Sequence, residues 1–241
     1  MQLHAVGRDA RCQPEAGQLQ SYRGAVPDVI VPALGRQWLT GLYDPVVRFT
    51  TRERRFKSRL LDQLAPRAND RILDLASGTG TFALSVAESA PGVSVVGIDA
   101  DAEVLHIAER KRRARGTSVP FVRGLSYRLP FATGAFDQVA SSLFLHHVTS
   151  SNKLRTLSEI ARVLRPGGRF HLADWTRGTD PMMRALSVSI RLLDGNETTQ
   201  ANFAGELPAM LSSAGFQNVR EPASFRTVYG TLALFRAEKA D

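Results

Sequence analysis

Two acids and two glycines pose the chemical question in this sequence. Residues 71–82 read R-I-L-D-L-A-S-G-T-G-T-F. Ile72, Leu73 and Leu75 form the short apolar run of a buried strand. Ser77, Gly78, Thr79 and Gly80 suit a tight turn, and a helical pattern follows from Thr81 to Ala90. Strand, glycine turn and helix present backbone N–H groups to an anionic ligand, and Gly78 and Gly80 leave room for close approach. Asp74 is the unusual member, because a carboxylate closing a buried strand is costly unless something pairs with it. A ligand carrying both a cation and an anion satisfies carboxylate and turn together. The methionine end of S-adenosylmethionine (SAM) is such a ligand.

A nicotinamide or flavin dinucleotide is the competing ligand. Its G-x-G-x-x-G fingerprint would place the third position on Ala83, a permitted variant, so spacing alone does not exclude it. Asp99 closes the next apolar run, V-S-V-V-G-I-D, where either kind of fold holds ribose hydroxyls. Asp74 separates the two ligands. It would repel a pyrophosphate and attract the α-ammonium of SAM.

Methyl transfer from a sulfonium is an in-line displacement that needs a base only when the acceptor must lose a proton. His147 and His146, just past a fourth strand, are the candidates, since histidine titrates near neutrality. The competing reading is that they cap the strand or pack beneath the loop. His171 falls inside a fifth strand and reads as a core or edge histidine. Asp174-Trp175 ends that strand and either lines an acceptor pocket or simply terminates it. Met182, Met183 and Leu186 have the spacing of helix packing. No His, Cys or carboxylate spacing suggests a metal site.

The elements that must position these residues follow from the pattern of the whole chain. With 241 residues, 43% of them hydrophobic and 22% charged, one α/β domain with a large core is expected. No apolar run reaches the ~20 residues of a membrane span, and the first residues lack a signal-peptide core. The single cysteine, Cys12, excludes an internal disulfide framework and fits a cytoplasmic protein. A net charge of +8 attracts acidic partners. One basic cluster spans Arg52 to Arg59, beside the proposed site. Another spans Arg110 to Arg115, where it complements a helix C-terminus.

Residues 1–34 lack a sustained period and are expected to form a flexible arm. The remainder, 35–241, is expected to form a single domain. Residues 37–47 recur at a helical spacing, and Thr51 is a helix cap for a helix through Leu64. Strands are predicted at 70–75, 93–99, 119–123, 136–142 and 169–175, with helices between them. The helix from Ala102 is expected to turn Val104, Leu105, Ile107 and Ala108 inward, and Arg165-Pro166-Gly167-Gly168 forms a turn. A helical insertion at 176–205 and a helix through Leu207 and Leu211 precede two β-rich runs joined by a short connection. The expected fold is a doubly wound, seven-stranded, mostly parallel sheet with one antiparallel strand.

D-L-A-S-G-T-G, V-V-G-I-D, L-P-F-A-T-G-A-F-D, F-L-H-H-V and V-L-R-P-G-G, in that order, resemble the class I SAM-dependent methyltransferases. Within that family the chain is similar to the ubiquinone/menaquinone C-methyltransferase branch. The resemblance spans roughly residues 40 to 236 and implies a Rossmann-like fold, SAM as cofactor and S-adenosylhomocysteine as product. It implies that Asp74 and the backbone of Ala76, Ser77, Gly78 and Gly80 hold the methionine end. Asp99 would hold the ribose, and Ala100 would lie against adenine. Relatives carry an acid after the glycine at Gly124; here Leu125 and Ser126 follow, so Ser126 or a backbone group takes the adenine amino contact. Ser142 and Leu143 would contact the amino acid moiety from the backbone. Tyr43-Asp44 resembles a pair in the N-terminal cover of the quinone enzymes, with a shorter stretch to Lys57.

The resemblance implies a methyltransferase acting on a small molecule at O, N or C. An RNA or protein methyltransferase is the alternative that the basic clusters favour. No aromatic-interleaved RNA-binding appendage and no N-P-P-Y-like turn accompany them, so nucleic acid is not the expected partner. A SAM-binding regulator without catalysis is a third reading, supported by the missing acid at Leu125. Oligomeric state is left open.

Overall fold

A computed structural model describes residues 53–241. The expected arm at 1–34, the helical stretch at 37–47, Tyr43 and the Thr51 cap lie outside the described residues. From Glu53 the elements run α1 (Glu53–Leu64), β1 (Arg71–Leu75), α2 (Thr81–Ser89), β2 (Ser94–Asp99), α3 (Ala102–Ala114), β3 (Phe121–Arg123) and β4 (Phe136–Ser142). A 3-10 turn (Leu145–His147), α4 (Ser150–Val163), β5 (Leu164–Thr176), α5 (Pro181–Asp194), α6 (Asn196–Ala204), α7 (Leu207–Ser213), β6 (Phe216–Thr227) and β7 (Gly230–Lys239) follow.

The seven strands form one sheet in the order β3-β2-β1-β4-β5-β7-β6. Neighbours from β3 to β5 are parallel, and β7 runs antiparallel to both β5 and β6. Chain order reverses between β1 and β4, which opens a crevice at the carboxyl ends of those strands, the usual ligand position in such sheets. Asp74 and Leu75 end one wall of the crevice, and Ser141 and Ser142 end the other.

Alternation along the strands divides the core between two layers. Ile72 faces α1 and α2, packing with Phe56, Leu60, Leu64, Phe82 and Val86. Leu73 and Leu75 face the other side, with Leu157, Ile160 and Val163 of α4 and Leu207 and Leu211 of α7. Both faces of the central strands are covered, which is why these strands read as continuous apolar runs rather than alternating ones.

Two expectations need correction. Of the four α3 residues expected inward, only Ala108 is buried, while Val104, Leu105 and Ile107 are half-buried. The strand beneath them is three residues long, too short to cover the helix. The R-P-G-G stretch does not separate α4 from a later strand; it lies within β5 as a bulge. Pairing jumps from Phe136↔Leu164 to Gln138↔Arg169, with Gly167 at φ 65° absorbing the reversal.

Candidate active site

The turn after β1 is fixed by its own backbone. Ser77 N–H donates to the Ile98 carbonyl at 2.9 Å and Gly80 N–H to the Ser77 carbonyl at 2.9 Å. Ala76, Gly78 and Gly80 take φ values of 56°, 52° and 74°, all left-handed. The glycines do different jobs. A Cβ on Gly78 would meet nothing within 4 Å, so Gly78 fronts open space. A Cβ on Gly80 would lie 2.5 Å from Phe121 Cζ and 2.8 Å from Ala108 Cβ. Gly97 is crowded by the same ring, at 2.5 Å from Phe121 Cδ1. The expectation that both turn glycines open space for a ligand therefore holds for Gly78 alone, and Gly80 makes room for Phe121 and α3.

Asp74 is 2% exposed, and its Oδ2 accepts from Ala83 N–H at 3.0 Å. Gly80, the N-cap of α2, has no side chain to offer, so Asp74 reaches up from the strand and caps the helix in its place. One hydrogen bond leaves a buried carboxylate under-satisfied. Burial pushes its pKa up to about 7, against the lowering pull of the Lys57 charge and the Ala83 N–H. Lys57, on α1, is held by Glu53 at 2.5 Å. An incoming ammonium would supply the charge that Asp74 lacks.

Asp99 ends β2 and faces the turn. Its carboxylate accepts from Gly78 N–H at 2.8 Å and from Asp101 N–H at 3.0 Å. Burial nevertheless raises its pKa. Ser77 Oγ is buried with no hydrogen-bond partner, a vacancy that an extra donor or acceptor would fill. Space over Gly78, an under-satisfied Asp74, a carboxylate at the end of β2 beside the turn and an orphan hydroxyl are features that the methionine and ribose portions of SAM fit.

The remaining described sequence candidates lie at or just after the carboxyl ends of β2, β3 and β4. Ala100, next after Asp99, takes a hydrogen bond on its carbonyl from Arg123 Nε at 3.0 Å. Leu125 is half-buried and forms an isolated bridge to Arg128. Ser126 Oγ lies 2.9 Å from Thr156 Oγ1 on α4, so its side chain is tied to the helix below. Ser142 ends β4, and Leu143 takes a left-handed φ of 54° while donating its N–H to the Ala173 carbonyl at 2.8 Å. Lys111, from the basic end of α3, reaches the turn and donates to Thr79 Oγ1 at 2.7 Å and Thr81 Oγ1 at 3.0 Å.

At the carboxyl ends of β4 and β5 the two histidines have different surroundings. His146 is 3% exposed, with Nδ1 2.6 Å from Oδ1 of the fully buried Asp174. Leu145 N–H and Trp175 N–H also donate to that carboxylate, each at 2.7 Å. Buried carboxylates normally rise in pKa; despite burial, His146, the Trp175 N–H and His147 hold Asp174 below the usual range. With Asp174 ionised, the His146 Nδ1 proton points at the carboxylate, the arrangement of a histidine–carboxylate dyad. His147 is instead pushed down to about 3 by burial and by the adjacent His146, so it stays neutral at physiological pH.

Sequence reasoning named Asp174 without a partner, and it missed what roofs the dyad. Helix α6 packs over the 3-10 turn: Asn202 Nδ2 donates to the Trp175 carbonyl at 3.1 Å, and the buried Lys153 amine donates to the Thr198 carbonyl. Lys153 is fully buried on α4, and burial lowers its pKa. A lysine in a run of S-S-N-K-L gives no local signal of such burial. His171 is enclosed between Gln138 Oε1 at 3.0 Å and Gln63 Nε2 at 3.1 Å, in line with its reading as a core histidine. The described residues hold no His, Cys, Asp or Glu group fit for a metal ion, and no helix among them is long and apolar enough to cross a membrane.

Comparison with known proteins follows the same lines. A family described as a methyltransferase domain matches residues 72–168. Demethylmenaquinone methyltransferase from Thermus thermophilus is 37% identical over 180 residues, 67% of this chain and 81% of that protein. The ubiquinone/menaquinone biosynthesis C-methyltransferase UbiE of Paracoccus denitrificans is 35% identical over 134 residues, covering 54% and 52% of the two chains. Among solved structures, YcgJ from Bacillus subtilis superposes with a TM-score of 0.66 at 20% identity, covering 77% of this chain and 98% of that one. A phosphoethanolamine N-methyltransferase from Haemonchus contortus, in complex with SAM, gives 0.61 at 17% identity over 78% and 53% of the chains.

Proposed function

This chain belongs to the class I SAM-dependent methyltransferases, in the ubiquinone/menaquinone C-methyltransferase-like branch, and from that membership we propose that its acceptor is a small aromatic of the quinol class. The enzyme uses SAM as its methyl donor. Bound SAM supplies a methyl group on a positively charged sulfur, already activated for displacement. The work left to the protein is holding, aligning, excluding water and managing one proton.

In this reading Asp74 faces the ammonium, the amides of the glycine turn face the carboxylate, and Asp99 takes the ribose. Alignment of the two reactants accounts for up to ~7–11 kcal/mol of barrier lowering. The observation that carries the choice of acceptor class is the His146–Asp174 pair, 2.6 Å apart at the carboxyl ends of β4 and β5. A quinol hydroxyl must lose its proton as the ring or oxygen becomes nucleophilic. His146 accepts that proton, and Asp174 stabilises the imidazolium that forms. A thioether acceptor, which loses no proton, would have less use for such a pair.

We assign residues 35–241 to one domain, with 176–205 as the insertion that helps shape the acceptor side and 1–34 as an arm. The lone Cys12 suits a cytoplasmic setting. The deciding experiment incubates the protein with methyl-labelled SAM and a short-chain demethylmenaquinol. Label in the organic phase, lost in His146→Ala, supports the proposal. Label on protein or RNA from an added extract, with none on the quinol, overturns it. Asp99→Ala should abolish binding of S-adenosylhomocysteine by calorimetry while leaving the circular dichroism unchanged; undiminished affinity would refute the ribose assignment.

A further inference from the structure

Helix α5 carries apolar residues on both of its faces. Its inward face carries Met183, Ser187 and Ile190, of which Ser187 is a polar residue only 5% exposed. Its outward stripe is Pro181, Ala185, Val188 and Leu192, at the i, i+4, i+7 and i+11 spacing of one face. Val188 is 47% exposed, Leu192 80%, and Met182 at the stripe's margin 57%. A surface helix ordinarily turns its polar residues to water, so an exposed apolar stripe of this length calls for a partner.

The surroundings specify the chemistry of that partner. Between Asp180 at its start and Asp194 at its end the helix contains no acid, and Arg184 and Arg191 lie exposed along one margin of the apolar stripe. The β6–β7 turn abuts the buried side of α5. A Cβ on Gly230 would sit 3.2 Å from Ser187 Cβ, and two residues earlier Val228 is 58% exposed. Arg226, in the same hairpin, is 57% exposed and braces the start of α5 through Asp180 at 2.5 Å. Arg177 is exposed just ahead of the helix. The patch is a convex helix face of 14 residues, about 21 Å long, rather than a groove. Leucine, valine and methionine flanked by arginines, on a chain of net charge +8, match the interface of an anionic bilayer.

We propose that α5 and the β6–β7 turn dock the enzyme on an anionic membrane surface, with Val188, Leu192, Met182 and Val228 entering the headgroup boundary. Helix α5 starts five residues after β5 ends, on the sheet edge that carries the glycine turn and the His146–Asp174 pair. Docking therefore turns that edge toward the bilayer. The proposal stands on the surface alone and does not depend on the acceptor being a quinol.

The test is co-sedimentation of the full chain with vesicles of phosphatidylglycerol and of phosphatidylcholine. Binding to the anionic vesicles, at least about tenfold weaker for the neutral ones and reversed by high salt, is expected. The double variant Val188→Glu/Leu192→Glu, altered only at exposed positions, should keep its melting temperature and its S-adenosylhomocysteine affinity. Its binding to anionic vesicles should fall by about tenfold or more. Absence of vesicle binding by the intact protein overturns the proposal. So does a double variant that binds vesicles unchanged. A dimer in solution that the double variant breaks, with vesicle binding unaltered, overturns it in favour of a contact between copies. Failure of quinol methylation would leave the vesicle result untouched, so the two readings fail separately.

Discussion

Asp74→Asn should make the ligand-free protein more stable at alkaline pH while weakening its grip on the cofactor. The wild-type carboxyl is 2% exposed with a pKa pushed up to about 7, against an ordinary 3.8. A raised carboxyl pKa means that the folded protein binds this proton more tightly than the unfolded chain does. The stabilising contribution is full below pH 3.8 and is lost as pH rises to about 7. The gap corresponds to about 4 kcal/mol of ionisation strain at pH 8, an upper bound because the site relaxes. Asparagine keeps an oxygen for Ala83 N–H and carries no charge, so it removes most of that strain. In a chain of this size the expected gain is roughly 10 °C in melting temperature at pH 8, shrinking toward zero near pH 4. Ligand binding supplies the second readout. If the cofactor's ammonium restores the ionised carboxylate, wild-type protein at pH 6 releases close to one proton on binding S-adenosylhomocysteine. Calorimetry in buffers of different ionisation heat counts that proton, and Asp74→Asn should lose it together with much of the affinity. Melting curves for variant and wild type that run parallel from pH 4 to pH 8, with no proton released on binding, would refute the reasoning.

Three further outcomes are expected. Asp174→Asn removes the charge that orients His146 and stabilises its protonated form, so kcat should fall by about 100-fold or more with cofactor affinity unchanged; a loss under threefold would show that the pair is only structural. Ala76→Gly relieves a left-handed alanine at φ 56° and should raise stability by about 1 kcal/mol, or roughly 2–4 °C; an equal or lower melting temperature would contradict that account of the turn. Burial pushes the His171 pKa down to about 3, so its contribution is present above the unfolded value near 6.5 and fades as pH drops through that range toward 3. Between pH 7 and pH 5 wild type should therefore lose about 2 kcal/mol more than His171→Gln does, measured by urea unfolding at the two pH values.

Much of the architecture was legible because its signals are local. A buried strand, a run of small residues and a helical period lie within a dozen positions of one another around Asp74. The same logic locates β2 with Asp99 and the alternation of β and α that makes the sheet doubly wound. The order of motifs was enough to indicate the family, and the family brought the cofactor.

What sequence could not decide are the pairings made across the sheet. Asp174 meets His146 only because β4 and β5 are neighbours in a register that depends on the bulge at Gly167. Phe121 explains both Gly80 and Gly97, yet its distance in sequence from each hides the contact. Lys57 reaches the field of Asp74 from α1, packed on the same face of the sheet but seventeen positions away in sequence, and Lys153 is buried by a helix 45 residues further on. The outward stripe of α5 was readable as helical spacing, which reports that one face differs from another and not which face the fold turns to water. Periodicity determined the elements and the identity of the turn; register and layer packing determined which charges met, because those contacts close only when distant strands have chosen their neighbours.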